Sequence, residues 1–186
     1  MLNPTYPIET ERLLLRPCEP RDLDVMADIR GRPDVVRYLY WNVQTREEVA
    51  EALAKRMTMT ALETEGDGMV LAVELKETGA MIGDVVLQWL SEEHRQGETG
   101  FVVHPDFQGK GYAFEAAREM LRLGFDEFGL HRIIGRCDAR NTASGRLMER
   151  LGMRQEAHFR ENERFKGEWG DELIYAMLDR EWTERR

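Results

Sequence analysis

The stretch Gln108-Gly109-Lys110-Gly111-Tyr112-Ala113 has the composition of an anion-binding turn. Gly109 and Gly111 let the backbone turn tightly with no Cβ in the way, so several amide N–H groups can point to one spot. A long helix is expected to start at Tyr112, and the positive end of its dipole falls on that same spot. Phosphate suits such a site, and Lys110 adds a cation beside it. Two kinds of phosphate ligand are excluded by spacing. A Walker A loop carries Ser or Thr after its lysine, whereas Gly111 follows Lys110 here. A dinucleotide fingerprint needs a third glycine where this chain has Phe114, and an early strand before it. Taken alone, the turn could equally be a strand-to-helix connection that uses glycine for geometry.

No other residues converge as clearly. His94, His104, His131 and His158 share no metal-ligand spacing, so no metal site is expected. His104, beside Pro105 at a strand end, could touch a ligand, and a turn or surface role is the plainer reading. Cys18 and Cys137 lie far apart and read as reduced, structural cysteines of a cytoplasmic protein. Tyr38, Tyr40 and Trp41 form an aromatic cluster that would line a cleft or simply pack among the first helices.

The elements that position the turn follow from periodicity. Arg12–Arg16 reads as a short buried strand, and Pro20 as the start of an amphipathic helix with Leu23, Met26 and Ala27 on one face. Asp34–Tyr40 reads as a short helix or turn. Thr45-Arg46-Glu47-Glu48 has the form of a capping box, and Val49, Leu53 and Met57 repeat behind it at helical spacing. Met69–Leu75, Met81–Trp89 and Glu98–His104 are expected strands, the first two joined by the hairpin signal Glu77-Thr78-Gly79. Tyr112–Phe128 carries a strong apolar stripe and ends at Gly129, a residue suited to a left-handed cap. Arg132–Cys137, Arg154–Phe159 and Leu173–Leu178 complete a sheet, with a short helix opened by Asn141 and closed at Gly152 between the first two. Hairpins first and strand–helix alternation later mean a three-layer α/β domain.

Bulk properties fit one enzyme-sized unit spanning residues 1–186. Apolar residues make up 42% of the 186 positions and charged residues 33%, enough for a core and too apolar for disorder. With 26 Lys+Arg against 35 Asp+Glu the net charge is −9. Such a surface repels phosphate backbones, so nucleic-acid binding is not expected, and it attracts amines and other cations. No apolar run approaches the roughly 20 residues of a membrane span, and Met1–Pro7 carries no signal-peptide pattern.

The turn also satisfies Q/R-x-x-G-x-G/A through Gln108, Gly111 and Ala113, and with its flanks it resembles the GNAT acetyltransferase superfamily. Gly97-Glu98-Thr99-Gly100-Phe101-Val102-Val103 is similar to that family's fourth strand. Asn141-Thr142-Ala143-Ser144, with Leu151-Gly152-Met153 behind it, is similar to its pantetheine-side motif. The opening Glu9–Arg16 and the closing Trp169–Tyr175 resemble the RimJ/RimL branch. The resemblance implies a mixed, mostly antiparallel sheet splayed at its middle, with helices on both faces. It implies an acetyl-CoA-dependent N-acetyltransferase acting directly on a primary amine, from a protein N-terminus or a small molecule. A non-catalytic CoA-binding sensor or interaction module on the same fold is the alternative.

The same resemblance implies roles for individual residues. The pyrophosphate would rest on Gln108, Gly109, Lys110, Gly111, Tyr112 and Ala113, and the pantetheine arm would pair with the backbone of Phe101, Val102 and Val103. Asn141 would bond pantetheine while capping its helix. Glu98 is the first candidate for the base that deprotonates the amine, and Glu74, on an earlier strand, the second. Ser144 takes the place of the tyrosine that many relatives use as acid. On the bare sequence, Glu98 is equally a solvated strand-end charge and Ser144 a residue satisfying a backbone amide in the first helical turn. Gly152-Met153 replaces the usual Gly-Phe, and Phe114 a small polar residue. A homodimer is common in this branch, and the strand near Glu172–Leu178 would be the edge available for pairing.

Overall fold

Gly68–Leu75 (β3) is buried along almost its whole length, as a strand covered by helices on both faces must be. The computed structural model describes residues 1–184, and β3 lies within a sheet of eight strands ordered β1-β2-β3-β4-β5-β6-β8-β7. The other strands are β1 (Ile8–Glu9), β2 (Leu13–Pro17), β4 (Met81–Ser91), β5 (Gln96–Val103), β6 (Arg132–Asp138), β7 (Arg154–Phe165) and β8 (Glu168–Leu178). Period-two alternation sends Leu71 and Val73 to one core, with α4 (Tyr112–Arg122) and α5 (Thr142–Leu151) covering it through Met120, Leu121 and Met148. Val70 and Ala72 face the opposite core, covered by α1 (Leu23–Gly31) and α3 (Arg46–Arg56) through Met26, Val49 and Leu53. The GNAT-type layering expected from the sequence is therefore present, with helices on both sides of a mostly antiparallel sheet.

Local chemistry explains the boundaries. Thr45 Oγ1 accepts from the Glu48 amide while the Glu48 carboxylate accepts from the Thr45 amide, the reciprocal pair that starts α3. The helix expected from Pro20 starts later, because Pro20–Asp22 forms a 3₁₀ turn whose Asp22 carboxylate accepts from the Glu19 amide and from Arg16. Asp34–Tyr40 condenses to the single turn α2 (Pro33–Val36). The helix from Tyr112 keeps α-helical bonding only to Arg122 and widens into a π-turn over Leu123–Glu127. Leu123, Gly124 and Phe125 are all buried there, and three consecutive buried residues span more arc than one stripe of a regular helix.

The last two strands run further than the apolar pattern indicates, to Phe165 and from Glu168, joined by Lys166-Gly167. Both turn residues have positive φ (50° and 90°), the backbone of a type I′ hairpin turn. The hairpin reaches back to the helical layer, where Lys166 Nζ donates to the Val36 carbonyl. The edge expected near Glu172–Leu178 is corrected here. That strand, β8, sits between β6 and β7, so β7 is the edge.

Candidate active site

Among the described residues β5 and β6 are the only parallel neighbours in the sheet, and they pair over three positions: Gln96 with Arg132, Gly97 with Ile133 and Glu98 with Ile134. Beyond Glu98, β5 stays registered with β4 up to Val103, while β6 stays registered with β8 up to Asp138. The sheet thus opens in a V between Thr99–Val103 and Gly135–Asp138. The His104 amide donates to the Ile82 carbonyl at 2.8 Å, which fixes the phase of hydrogen bonding along β5. By alternation Val102 and Gly100 bond toward β4, and Phe101 and Val103 turn their peptide groups into the gap. Of the three residues expected to pair with pantetheine, Val102 is therefore already paired within the sheet. Gln108 Nε2 donates to the Val103 carbonyl at 2.9 Å, so this side chain steadies the strand end and is not spread toward a ligand.

The glycine turn sits at the open end of β5. Gly109 and Gly111 both have positive φ (73° and 85°), the conformation glycine adopts without strain. Gly111 is the N-cap of α4 and supplies no side chain to its first-turn amides, which leaves the amides of Tyr112, Ala113 and Phe114 for an external acceptor. Gln108, Gly109 and Lys110 are exposed. Lys110 Nζ donates to the Asp106 carbonyl at 2.8 Å and lies near the Phe107 ring.

The predicted catalytic residues stand on opposite faces of the V. Glu98 and Arg136 lie on the α1/α3 face, where Arg136 Nε donates to Glu98 Oε1 at 3.0 Å. Arg136 also reaches Glu172 Oε1 at 3.5 Å, and its guanidinium lies 5.5 Å from the centre of the Tyr40 ring. The Tyr40 hydroxyl donates to Glu172 Oε1 at 2.9 Å, and Asn162 Nδ2 donates to Glu172 Oε2 at 3.0 Å. Burial opposes the Arg136 charge, but Glu98, Tyr40 and Glu172 outweigh it and raise its pKa. Burial, then the Glu172 carboxylate, push the Tyr40 phenol far up, so it is a proton donor at neutral pH. Next to this chain is a recess lined by Tyr38, Tyr40, Asp138, Glu163, Asp171 and Glu172. Of its carboxylates, Asp138 is paired with Arg140, Glu172 with Arg136 and Asp171 with His158. Tyr40 is 52% exposed there and lines the recess with Tyr38, whereas Trp41 packs inward, its ring 4.4 Å from the guanidinium of the buried Arg30.

Ser144 lies on the α4/α5 face. Its amide donates to Asn141 Oδ1 at 3.2 Å, as expected of an N-cap. Burial raises the pKa of the Cys137 thiol to about 11, and the Ser144 side chain opposes that rise. Gly145, one residue on, approaches Tyr175 so closely that a Cβ would lie 3.0 Å from the phenol oxygen. The backbone of α5 is thereby held tight against β8.

The second candidate base falls away, and His104 takes the turn role that was its plainer reading. Glu74 does not face the gap: it is two strands away from β5, 7% exposed, and held by Arg16 Nε at 2.6 Å and Arg21 Nη2 at 3.0 Å. It balances a buried guanidinium whose other partner is Asp22, and that ion pair holds it on the side of β2, away from the gap. His104 ties β5 to α1 through Asp28 Oδ2 at 2.7 Å and accepts from the Asp106 amide, the turn role. The larger cavity, about 620 Å³, runs along α4 from Arg12 and Phe114 beside the glycine turn to Trp182; neither Glu98 nor Ser144 lines it, and its size does not make it the reaction centre. Among the described residues no group of three His, Cys, Asp or Glu side chains could hold a metal, and no helix is long and apolar enough to cross a membrane.

A sheet parted beside a glycine turn that caps the next helix is the frame of this site. The model of the acetyltransferase (GNAT) domain matches residues 12–154, and the chain belongs to that family of N-acetyltransferases, which use acetyl-CoA. It is 36% identical over 177 residues, 95% of this chain and 99% of the other, to an uncharacterized N-acetyltransferase, YnaD, of Bacillus subtilis. A crystal structure of a GNAT-family acetyltransferase from Bacillus anthracis superposes with a TM-score of 0.83 at 36% identity, covering 93% of this chain and 98% of that one. The [ribosomal protein uS5]-alanine N-acetyltransferase of Escherichia coli is 31% identical over 87 residues, 47% of this chain and 45% of its own length.

Proposed function

We propose that the protein transfers the acetyl group of acetyl-CoA directly to a primary amine, as an enzyme of RimJ/RimL type. The observation that carries the reading is the V between β5 and β6 with the Gly109–Gly111 turn at its open end. The pyrophosphate rests on the first-turn amides of α4, with Lys110 beside it, and the pantetheine arm lies along the gap-facing groups of Phe101 and Val103. Asn141 bonds the arm from the far side. The likeness to the uS5-alanine enzyme supports the branch, and the acidic recess by Tyr40 supports a cationic acceptor.

Glu98 and Ser144 flank the gap from opposite faces, the disposition that transfer requires. An amine enters from the α1/α3 face and surrenders a proton to Glu98, directly or through water. The freed lone pair attacks the thioester carbon, and a gap-facing amide of β5 stabilises the oxyanion. The carbon–sulfur bond then breaks as Ser144 donates to the departing sulfur on the α5 face, and the serine regains its proton through water from the attacking nitrogen, which has one still to lose. The product is an amide, and CoA leaves as the thiol.

Release of free thiol from acetyl-CoA, measured against a panel of protein N-terminal peptides, polyamines and aminoglycosides, tests the reading. Acetyl-CoA binding with no thiol release for any amine would make the protein a CoA-binding module and overturn it.

A further inference from the structure

Arg12 stands next to the glycine turn although it belongs to the opposite end of the chain. Its Nη1 donates to the Lys110 carbonyl at 3.0 Å, and its Nε pairs with Glu115 Oε2 at 2.8 Å. The Arg12 amide donates to Glu115 Oε1 at 2.7 Å, and the Thr10 hydroxyl donates to the same oxygen at 2.6 Å. The guanidinium covers the Tyr112 ring, 4.6 Å from its centre. Nη2 has no acceptor among the described residues, and it would lie 3.3 Å from a Cβ placed on Gly111. The side chain remains 42% exposed, so that nitrogen is open to a ligand on the turn.

The placement of Glu115 sharpens the point. It lies one turn into α4, where a carboxylate competes with any other anion for the positive end of the helix. Here it is turned to the N-terminal segment and occupied by three donors, two of them from Arg12.

We infer that Arg12 is a further cofactor-binding residue: it neutralises Glu115, fixes the Lys110 carbonyl, and offers Nη2 to the pyrophosphate held on the Gly109–Gly111 turn. This rests on the turn's being the pyrophosphate seat. Burial works against the Glu115 charge, yet its bonds to Thr10 and Arg12 hold its pKa below the usual carboxylate value, so it is ionised wherever the enzyme would work.

Arg12→Gln removes the charge and the Nη2 donor while leaving a polar, uncharged side chain. Titration calorimetry with acetyl-CoA, together with kcat/KM for acetyl-CoA and for S-acetylpantetheine, which lacks the pyrophosphate, tests the role. One charge-assisted contact corresponds to about a tenfold weaker Kd for acetyl-CoA, with acetylpantetheine turnover unchanged and a shallower salt dependence of binding. Equal loss with both donors would reduce Arg12 to a structural strut, and no loss with either would remove it from the site. Glu115→Gln separates the roles a second way. It tightens acetyl-CoA binding about twofold if Arg12 acts through its charge, and weakens it if Arg12 serves only to anchor the first turn, which overturns the inference. Absence of acetyl-CoA affinity in the unaltered protein would instead refute the pyrophosphate seat itself.

Discussion

Replacing Gly111 by aspartate puts a carboxylate where the helix now offers bare amides, and its effects on folding and on ligand should separate. In the free protein two small terms oppose each other. Holding a non-glycine residue at φ 85° costs roughly 1 kcal/mol, and aspartate is among the residues that tolerate that region best. The nearest atom to the new Cβ is Arg12 Nη2 at 3.3 Å, a cation that welcomes the charge. Net stability should therefore move by no more than about 1 kcal/mol. With acetyl-CoA the balance differs. A carboxylate about 5 Å from a phosphate charge is repelled by roughly 3 kcal/mol at an effective dielectric of about 20, and water at this exposed turn reduces that to about 1–2 kcal/mol. Two phosphate charges bring the loss to about 3 kcal/mol, or ~100-fold in Kd. Gly111→Asn has the same shape without the charge and should lose about tenfold or less. Calorimetric Kd values for the three proteins, with thermal melts as a folding control, give the comparison. A folded aspartate variant that binds acetyl-CoA as tightly as its parent would refute the seat on α4.

Three other substitutions test separate parts of the structure. Glu98→Gln should lower kcat by about 100-fold or more, in the range for loss of a general base, and leave acetyl-CoA affinity unchanged; an unaltered kcat would return Glu98 to being only the partner of Arg136. Ser144→Ala should reduce turnover more than affinity; because the cap uses only the Ser144 backbone amide, which alanine keeps, an unchanged turnover would remove the hydroxyl from the reaction. Arg16→Ala should destabilise the fold by about 3 kcal/mol, because Asp22 and Glu74, 2% and 7% exposed, lose the cation between them. A denaturant midpoint within error of the parent would show that water replaces that cation freely.

Features written in adjacent residues were legible and those written across the chain were not. The glycine turn, the Thr45 capping box and the Asn141 cap each depend on residues within four positions, and each stands where its spacing indicates. Arg12 is 98 residues from Lys110 and 103 from Glu115, so no local pattern links it to the turn. The ion pair that removes Glu74 from the cleft is equally remote, 58 residues from Arg16. The outer half of the β7–β8 hairpin escaped for a different reason. Its strands run through charged residues exposed on both faces, and a strand with no buried face has no apolar alternation to read. The V itself is a matter of register: Thr99–Val103 and Gly135–Asp138 read as ordinary strands, and nothing in either says that they part.

That parting leaves a hazard inside the sheet. A strand edge with unclaimed peptide groups invites another chain to pair with it, and the V holds two such edges facing each other. Their geometry limits the risk. Each open run is only four or five residues long, closed at its base by the Gln96–Glu98 pairing, and the Val103 carbonyl at the mouth is already taken by Gln108. A polypeptide entering the notch would bring side chains on two faces into a space walled by both helical layers, whereas a narrow arm with amides but no side chains slides in. If acetyl-CoA binds as proposed, the notch is a sieve on thickness, open to a cofactor tail and closed to stray strands.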